Sequence, residues 1–428
     1  MPSARLAGAR MQSTARAEWK AYWGVPLAGA LGYATSVIHI YGLGVYIEPI
    51  AQGFGWTRAT TTFGLTIATL IQALFGVPIG MLVDKVGPRV LGVVGVPLTC
   101  AAFALLGTAD GSAWQWYALW VVMALATLPV QATIWTAAVA SRFAHARGLA
   151  FALTLCGASV AAALFPWLGA KLIAAHGWQS AMAWQALAWG LVAWPVILVL
   201  FRGANDTRRG ERDQTPTSAP DAPAPAPAPA IEGMSFREGL ASSIYLRLML
   251  ASLLFTFTIL ALVVHFVPIL TDAGLGTAQA AGMASIIGLF SIAGRLATGF
   301  LLDRFPAARV GAAIFLLPVV SSLVLLLAGA KGAAAVAVLV GLTLGAEVDV
   351  IVYLATRHFG LKAFGALYGG LLVALSVGTA LGPLAAAAVY DATGSYDAFL
   401  VLTLALMAAS SAAIASLPRP AFGHAAPG

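Results

Sequence analysis

The sequence predicts an all-α integral membrane protein, with twelve transmembrane helices in two pseudo-symmetric bundles of six. Three observations predict it. The first is composition: of 428 residues, 60% are hydrophobic and 9% are charged, and the mean hydropathy is +0.90. A soluble domain carries about 25% charged residues, so an ordinary cytosolic enzyme is excluded. The second is the regular return of long apolar runs. The third is an internal repeat, Gly80 to Lys85 and Gly299 to Arg304, both reading G-x-x-x-D-[KR].

An apolar run of about 20 residues crosses a bilayer as a helix, because a helix satisfies its own backbone groups there. In the first half such runs fall at 22–47, 60–83, 89–108, 114–140, 148–171 and 180–201. In the second half they fall at 244–270, 278–302, 309–329, 332–356, 363–389 and 396–417. Residues 1–21 are polar and basic, and the run after them is too long for a cleavable signal peptide. Between the halves lies a long polar segment, 202–240, containing the run Asp221 to Ala230 that reads DAPAPAPAPA. Alternating Pro and Ala favour an extended, semi-rigid spacer. The expected organisation is therefore a tail at 1–21, a bundle at 22–201, a linker at 202–240, a bundle at 241–417 and a tail at 418–428.

Lys and Arg collect on the cytoplasmic side of a membrane protein. A cytoplasmic N-terminus places Arg5, Arg10, Arg16, Lys20, Lys85, Arg89, Arg142, Arg147, the linker, Arg304, Arg309, Arg357, Lys362 and Arg419 on that side. Only Arg58, Lys171 and Lys331 then fall outside, so both termini are expected in the cytoplasm. The formal net charge of +7 is thinly spread between uncharged stretches, which argues against a nucleic-acid partner. Cys100 and Cys156 both sit in apolar runs and form no disulfide framework or Cys-rich zinc site.

The fuller string GMLVDKVGPR, Gly80 to Arg89, resembles the loop 2–3 signature of the major facilitator superfamily. The second copy departs from it, since Phe305-Pro306-Ala307 lacks the later glycine. Three further strings resemble the monocarboxylate-transporter branch and the related oxalate–formate exchangers. They are Gly44 to Ile47 followed by Phe54 to Arg58, then Phe143 to Gly157 (FAHARGLAFALTLCG), then Ser291 to Arg295 (SIAGR). The likeness covers most of the chain outside 202–240. It implies a secondary transporter working by alternating access, with a cytoplasmic gate formed by Gly80, Asp84, Arg89, Asp303 and Arg304. The plain alternative for these residues is a membrane-anchoring turn.

A charge near the bilayer centre costs about 2.5–3.5 kcal/mol, so it normally faces the protein interior. Arg295, Glu347 and Asp349 are the charged residues clearly inside the spans. Arg295 shares its helix face with Gly288, Ser291 and Gly299, and a guanidinium grips a carboxylate through two parallel hydrogen bonds. The resemblance implies that Arg295 holds a substrate anion; the alternative is a structural partner for a buried acid. Two departures bear on the substrate: Ser291 stands where animal carriers usually have aspartate, and Tyr368 to Pro383 lacks the lysine of oxalate–formate exchangers. One intramembrane cation favours a monoanion. Glu347 and Asp349 are two residues apart, about 200° around a helix, so one suits neutralising Arg295 and the other carrying a proton. Which does which stays open, with Asp349 preferred for the cavity because it shares a face with Tyr353.

His39 and His265 lie on the symmetry-related helices 1 and 7 and are candidates to meet substrate or protons, or plain packing residues. Gln131 and Trp135 on helix 4, Tyr41 on helix 1 and Tyr368 on helix 11 complete the expected substrate-binding set. No G-x-x-x-x-G-K-[ST] phosphate cradle, H-E-x-x-H or paired C-x-x-C occurs. No ATP motor, metal site, cofactor or enzyme constellation is therefore expected. The expectation is a monomeric cell-membrane carrier of a small organic monocarboxylate, driven by proton symport. Anion exchange or efflux is the alternative among carriers, and a solute-binding receptor the alternative outside them.

Overall fold

The computed structural model describes residues 16–143, 146–202, 233–360 and 362–420, without the side chains of Val77, Asp84, Arg147 and Asp303. After a short helix at 16–22, the first crossing, α1, comes in three pieces, Gly24–Ser36, Ile38–Leu43 and Ile47–Phe54. The first break has a local cause. Thr35 and Ser36 donate their hydroxyls back to the carbonyls of Leu31 (2.9 Å) and Tyr33 (2.7 Å), and such back-bonding bends helices. Next come α2 (Arg58–Val86) and α3 (Pro88–Leu106). The following crossing, α4, is Ala113–Thr127 and Ala132–Arg142 joined by a tight turn, Leu128–Val130. Gln131 is extended there (φ −64°, ψ 160°), which frees the buried Val130 carbonyl, and the Trp135 indole N–H bonds it at 2.7 Å.

Helix Arg147–Leu200 runs 54 residues, which would stretch about 80 Å; it is interrupted at Gly177, with φ 74° and ψ 161°. Only glycine occupies that backbone region comfortably. The stretch is therefore two crossings, α5 (147–176) and α6 (178–200). The remaining crossings are α7 (Ser243–Asp272), α8 (Thr277–Arg304), α9 (Ala307–Ala328), α10 (Ala333–Phe359), α11 (Phe364–Thr393) and α12 (Asp397–Ala415). Among the described residues, nine helical stretches are long and apolar enough to span a membrane. Two of these hold two crossings each, and broken α1 supplies the twelfth.

The pairings repeat between halves. In the first half α1 packs on α5, α2 on α4 and α3 on α6; in the second α7 packs on α11, α8 on α10 and α9 on α12. The halves meet along α2 with α11 and α5 with α8. The expected linker is partly ordered: a capping box at Ser235 and Glu238 starts a short helix, Phe236–Ala241. Ahead of it, the Met234 N–H bonds the Phe359 carbonyl at the end of α10 (2.8 Å). Residues 203–232, with the Pro/Ala run, lie outside the described residues.

Candidate substrate and coupling site

Close backbone approach sets the site. A Cβ on Gly294 would lie 2.7 Å from the Leu342 Cα, and one on Gly345 would strike the Ser291 carbonyl. These two glycines let α8 and α10 touch, which brings Arg295 opposite Asp349. The Arg295 Nη1 donates to Asp349 Oδ1 at 3.2 Å, with side chains 14% and 31% exposed in mid-membrane. Such exposure, deep in a span, marks a polar interior rather than a sealed core. The Arg295 Nε has no partner.

Glu347 differs from its neighbour. It is 6% exposed and makes no hydrogen bond or ion pair among the described residues. Arg295 lies within electrostatic reach of it, as do Tyr33 and Tyr41 from α1 and Tyr368 from α11. Cys156 on α5 lies within reach of both Arg295 and Asp349. The structure thus gathers Tyr41, Tyr368, Arg295, Glu347 and Asp349 from the expected set. Tyr33 and Cys156 join them without having been expected.

Other expected residues sit elsewhere. Ser291 donates to the Ser159 hydroxyl at 2.6 Å and to the Gly288 carbonyl at 2.8 Å, so it fastens α8 to α5. Trp135 is fully buried, tilted on Phe201 at 4.7 Å, in space left by Gly32 and Gly92. It fills the first bundle instead of walling the cavity. Gln131 precedes the second piece of α4 as its half-buried cap residue. His39, fully buried, sits 3.3 Å from the Gln72 amide, which in turn donates to Thr127 at 2.7 Å. Its Nδ1 has no partner. His265 lies in a network with Tyr396 and Pro383, remote from the Arg295 group in bonding. An apolar groove of about 410 Å³ between α3 and α6, lined by Cys100, Gly190 and Trp194, offers no charged side chain for an anion.

Of the gate residues of the loop motif, the two arginines contact their own halves among the described residues. Arg89 donates to the Leu198 carbonyl of α6 at 3.0 Å, and Arg304 lies 3.5 Å over the Phe300 ring. The side chains of Asp84 and Asp303 lie outside the described residues.

The opposite end is shut. Arg58, 5% exposed, donates to Asp272 at 2.8 and 3.0 Å, to Glu48 at 2.5 Å and to the Tyr396 hydroxyl at 3.0 Å. Its guanidinium lies 3.7 Å over the Tyr390 ring. Asp391 accepts the backbone N–H groups of Arg58 (3.0 Å) and Ala59 (2.8 Å), capping α2 from the other half; a carboxylate is stabilised at a helix N-terminus. Further in, Thr66 donates to the Ala380 carbonyl at 2.6 Å. The sequence placed Arg58 merely outside; with Glu48 it belongs to this closure. Among the described residues, the side-chain hydrogen bonds between the halves lie at this end or join Ser159 to Ser291, and none lies at the loop-motif end.

Two bundles with repeated pairings agree with a sequence comparison. The major facilitator superfamily profile matches residues 29–369. The chain belongs to the major facilitator superfamily. Among curated proteins, this transporter is similar to monocarboxylate transporter 13 of Rattus norvegicus, 28% identical, covering 93% of this chain and 89% of that one. Among solved structures it resembles a bacterial homologue of the human lysosomal transporter Spinster, captured inward-facing and unoccupied. That likeness has a TM-score of 0.64 at 17% identity and covers 91% of this chain and 93% of the other. As a member of the superfamily the protein is a multi-pass membrane carrier of a small solute and not an enzyme.

Proposed function

We propose that this transporter moves a small organic monocarboxylate together with a proton, as a monomer in the cell membrane with both termini cytoplasmic. The supporting observation is the unequal state of the two α10 acids beside one cation. Asp349 balances Arg295 when the site is empty. An arriving carboxylate takes over the guanidinium, whose paired N–H groups suit it. Glu347, with no counter-charge of its own, is the group able to gain and lose a proton across the cycle. Loaded with anion and proton, the site carries no uncompensated charge, which lowers the cost of closing the halves around it. The phenol rings of Tyr33, Tyr41 and Tyr368 offer hydroxyls and flat apolar walls for the rest of the acid. The relative's name, monocarboxylate transporter, points the same way. The basic residues collect at the loop-motif end, which supports a cytoplasmic placement of that end.

Uptake of labelled monocarboxylates into proteoliposomes, with and without an imposed pH gradient, tests this. Arg295→Ala is expected to lose uptake of every acid. Glu347→Gln is expected to lose gradient-driven accumulation while keeping exchange of internal for external anion. Gradient-driven uptake intact in Glu347→Gln would refute the proton role; full transport in Arg295→Ala would refute the anion role.

A further inference from the structure

We infer that His265 is a second proton-binding site, placed at the outer gate, and that a proton there releases the latch made by Arg58. The inference rests on the proposed orientation, with the Arg58 end outside.

The hydrogen bonds fix the state of the ring. His265 Nε2 lies 2.8 Å from the Pro383 carbonyl, which can only accept, so Nε2 carries the hydrogen. His265 Nδ1 lies 2.7 Å from the Tyr396 hydroxyl. That hydroxyl oxygen already accepts from Arg58 at 3.0 Å, so its own hydrogen points to Nδ1. Every donor in the chain Arg58, Tyr396, His265, Pro383 then meets one acceptor, provided His265 is neutral. A proton added at Nδ1 sets two hydrogens against each other in one contact. It also brings a second positive charge within reach of Arg58. The contact is relieved when the Tyr396 hydroxyl turns its own hydrogen aside and accepts Nδ1–H, which leaves it a poorer acceptor for Arg58.

All the charged and titratable groups around the ring enter this balance. Asp272, on the same helix as His265, and Glu48 on α1 are already engaged by Arg58. Asp391 on α11 is engaged by the α2 backbone, and the Tyr390 ring lies against the guanidinium. None of these acids bonds the imidazole directly, so none replaces the acceptor that Nδ1–H would need. The network also reaches α11, which carries Tyr368 to the substrate site. A proton arriving from outside would thus loosen the Tyr396 link from α2 to α12 and weaken a latch that Asp272 and Asp391 otherwise hold. In a proton symporter this opens the outer mouth when driving protons are present.

The test measures the width of the outer mouth without any substrate. Spin labels at T108C and T277C, on the full chain carrying C100A and C156S, report the separation of the two halves in lipid. Between about pH 8 and about pH 4, the distance distribution is expected to shift to the longer separation. His265→Gln keeps an amide able to bond Pro383 but cannot take the proton, and is expected to abolish the shift. Tyr396→Phe removes the link and is expected to abolish it too, leaving His265 in place. Arg58→Ala is expected to populate the longer separation at both pH values. A His265→Gln protein that shifts like the parent, a parent that does not shift, or Arg58→Ala that stays shut would each overturn the inference. Because the readout needs neither transport nor Glu347, its failure is separable from failure of the proposed function.

Discussion

Trp135 and Glu347 show what a single residue can and cannot reveal from sequence. Trp135 carries a polar N–H inside a span, which suggested a cavity wall beside Gln131. The signal was ambiguous because a buried indole needs only one acceptor, and the break at Gln131 supplies it by leaving the Val130 carbonyl without a helical N–H. Its ring is a packing unit, so Trp135→Ala is expected to destabilise the first bundle by about 3–5 kcal/mol. A lowered midpoint of thermal unfolding would show this, with the Arg295–Asp349 pair left intact. The three charged residues stood out in the sequence, since a charge at that depth normally faces the protein interior. The division of labour between Glu347 and Asp349 was not, because it depends on which acid meets α8, and that is set by Gly294 and Gly345. Tyr33 and Cys156 carry no charge and stand in ordinary apolar runs, so only the fold brings them to Arg295.

At the scale of elements, spans were readable from apolar length, and their ends from glycine, proline and caps. The broken α1 was not readable, because the hydroxyl back-bonds of Thr35 and Ser36 are one of several options open to those side chains. The short helix Phe236–Ala241 was absorbed into the expected linker, although Ser235 and Glu238 have the capping-box spacing. Glu238 accepts the Ser235 backbone N–H at 2.8 Å. That bond and the Ser235 hydroxyl hold its carboxyl below the usual glutamate value. A depressed folded-state value means that the cap is fully stabilising above about pH 4.3, the unfolded value, and fades as pH falls through the folded one. Hydrogen-exchange protection of residues 236–241, corrected for intrinsic rates, is expected to drop in acid in the parent protein. In Glu238→Gln it is expected to stay level.

For the whole molecule, the sequence specified two bundles through its repeated motif and run lengths, and the repeated helix pairings follow that division. It could not specify which end is latched, because one sequence must serve both ends of a transport cycle. The loop motif therefore advertised one gate while the structure displays the other, built from Arg58 and residues up to 338 positions away in the chain. The closure at the Arg58 end sets the access of Cys156: a membrane-impermeant thiol reagent is expected to label it from the side of the termini and not from the Arg58 side. Right-side-out and inverted vesicles carrying C100A, compared by mass spectrometry, check this, and equal labelling from both sides would contradict it. One contact governs how such a closure reverses. A Cβ on Gly288 would collide with Ala163 and Ser159 of α5, so the two helices bear on each other backbone to backbone, twelve residues into the 28 of α8. That point acts as a fulcrum with unequal arms, about 17 Å toward the shut end and about 24 Å toward the other. Each 10° of rocking about it moves the longer arm's tip by about 4 Å. The leverage makes the mouth at the Arg304 end the wider of the two, so a carrier built this way passes bulkier cargo more readily there than at the Arg58 end.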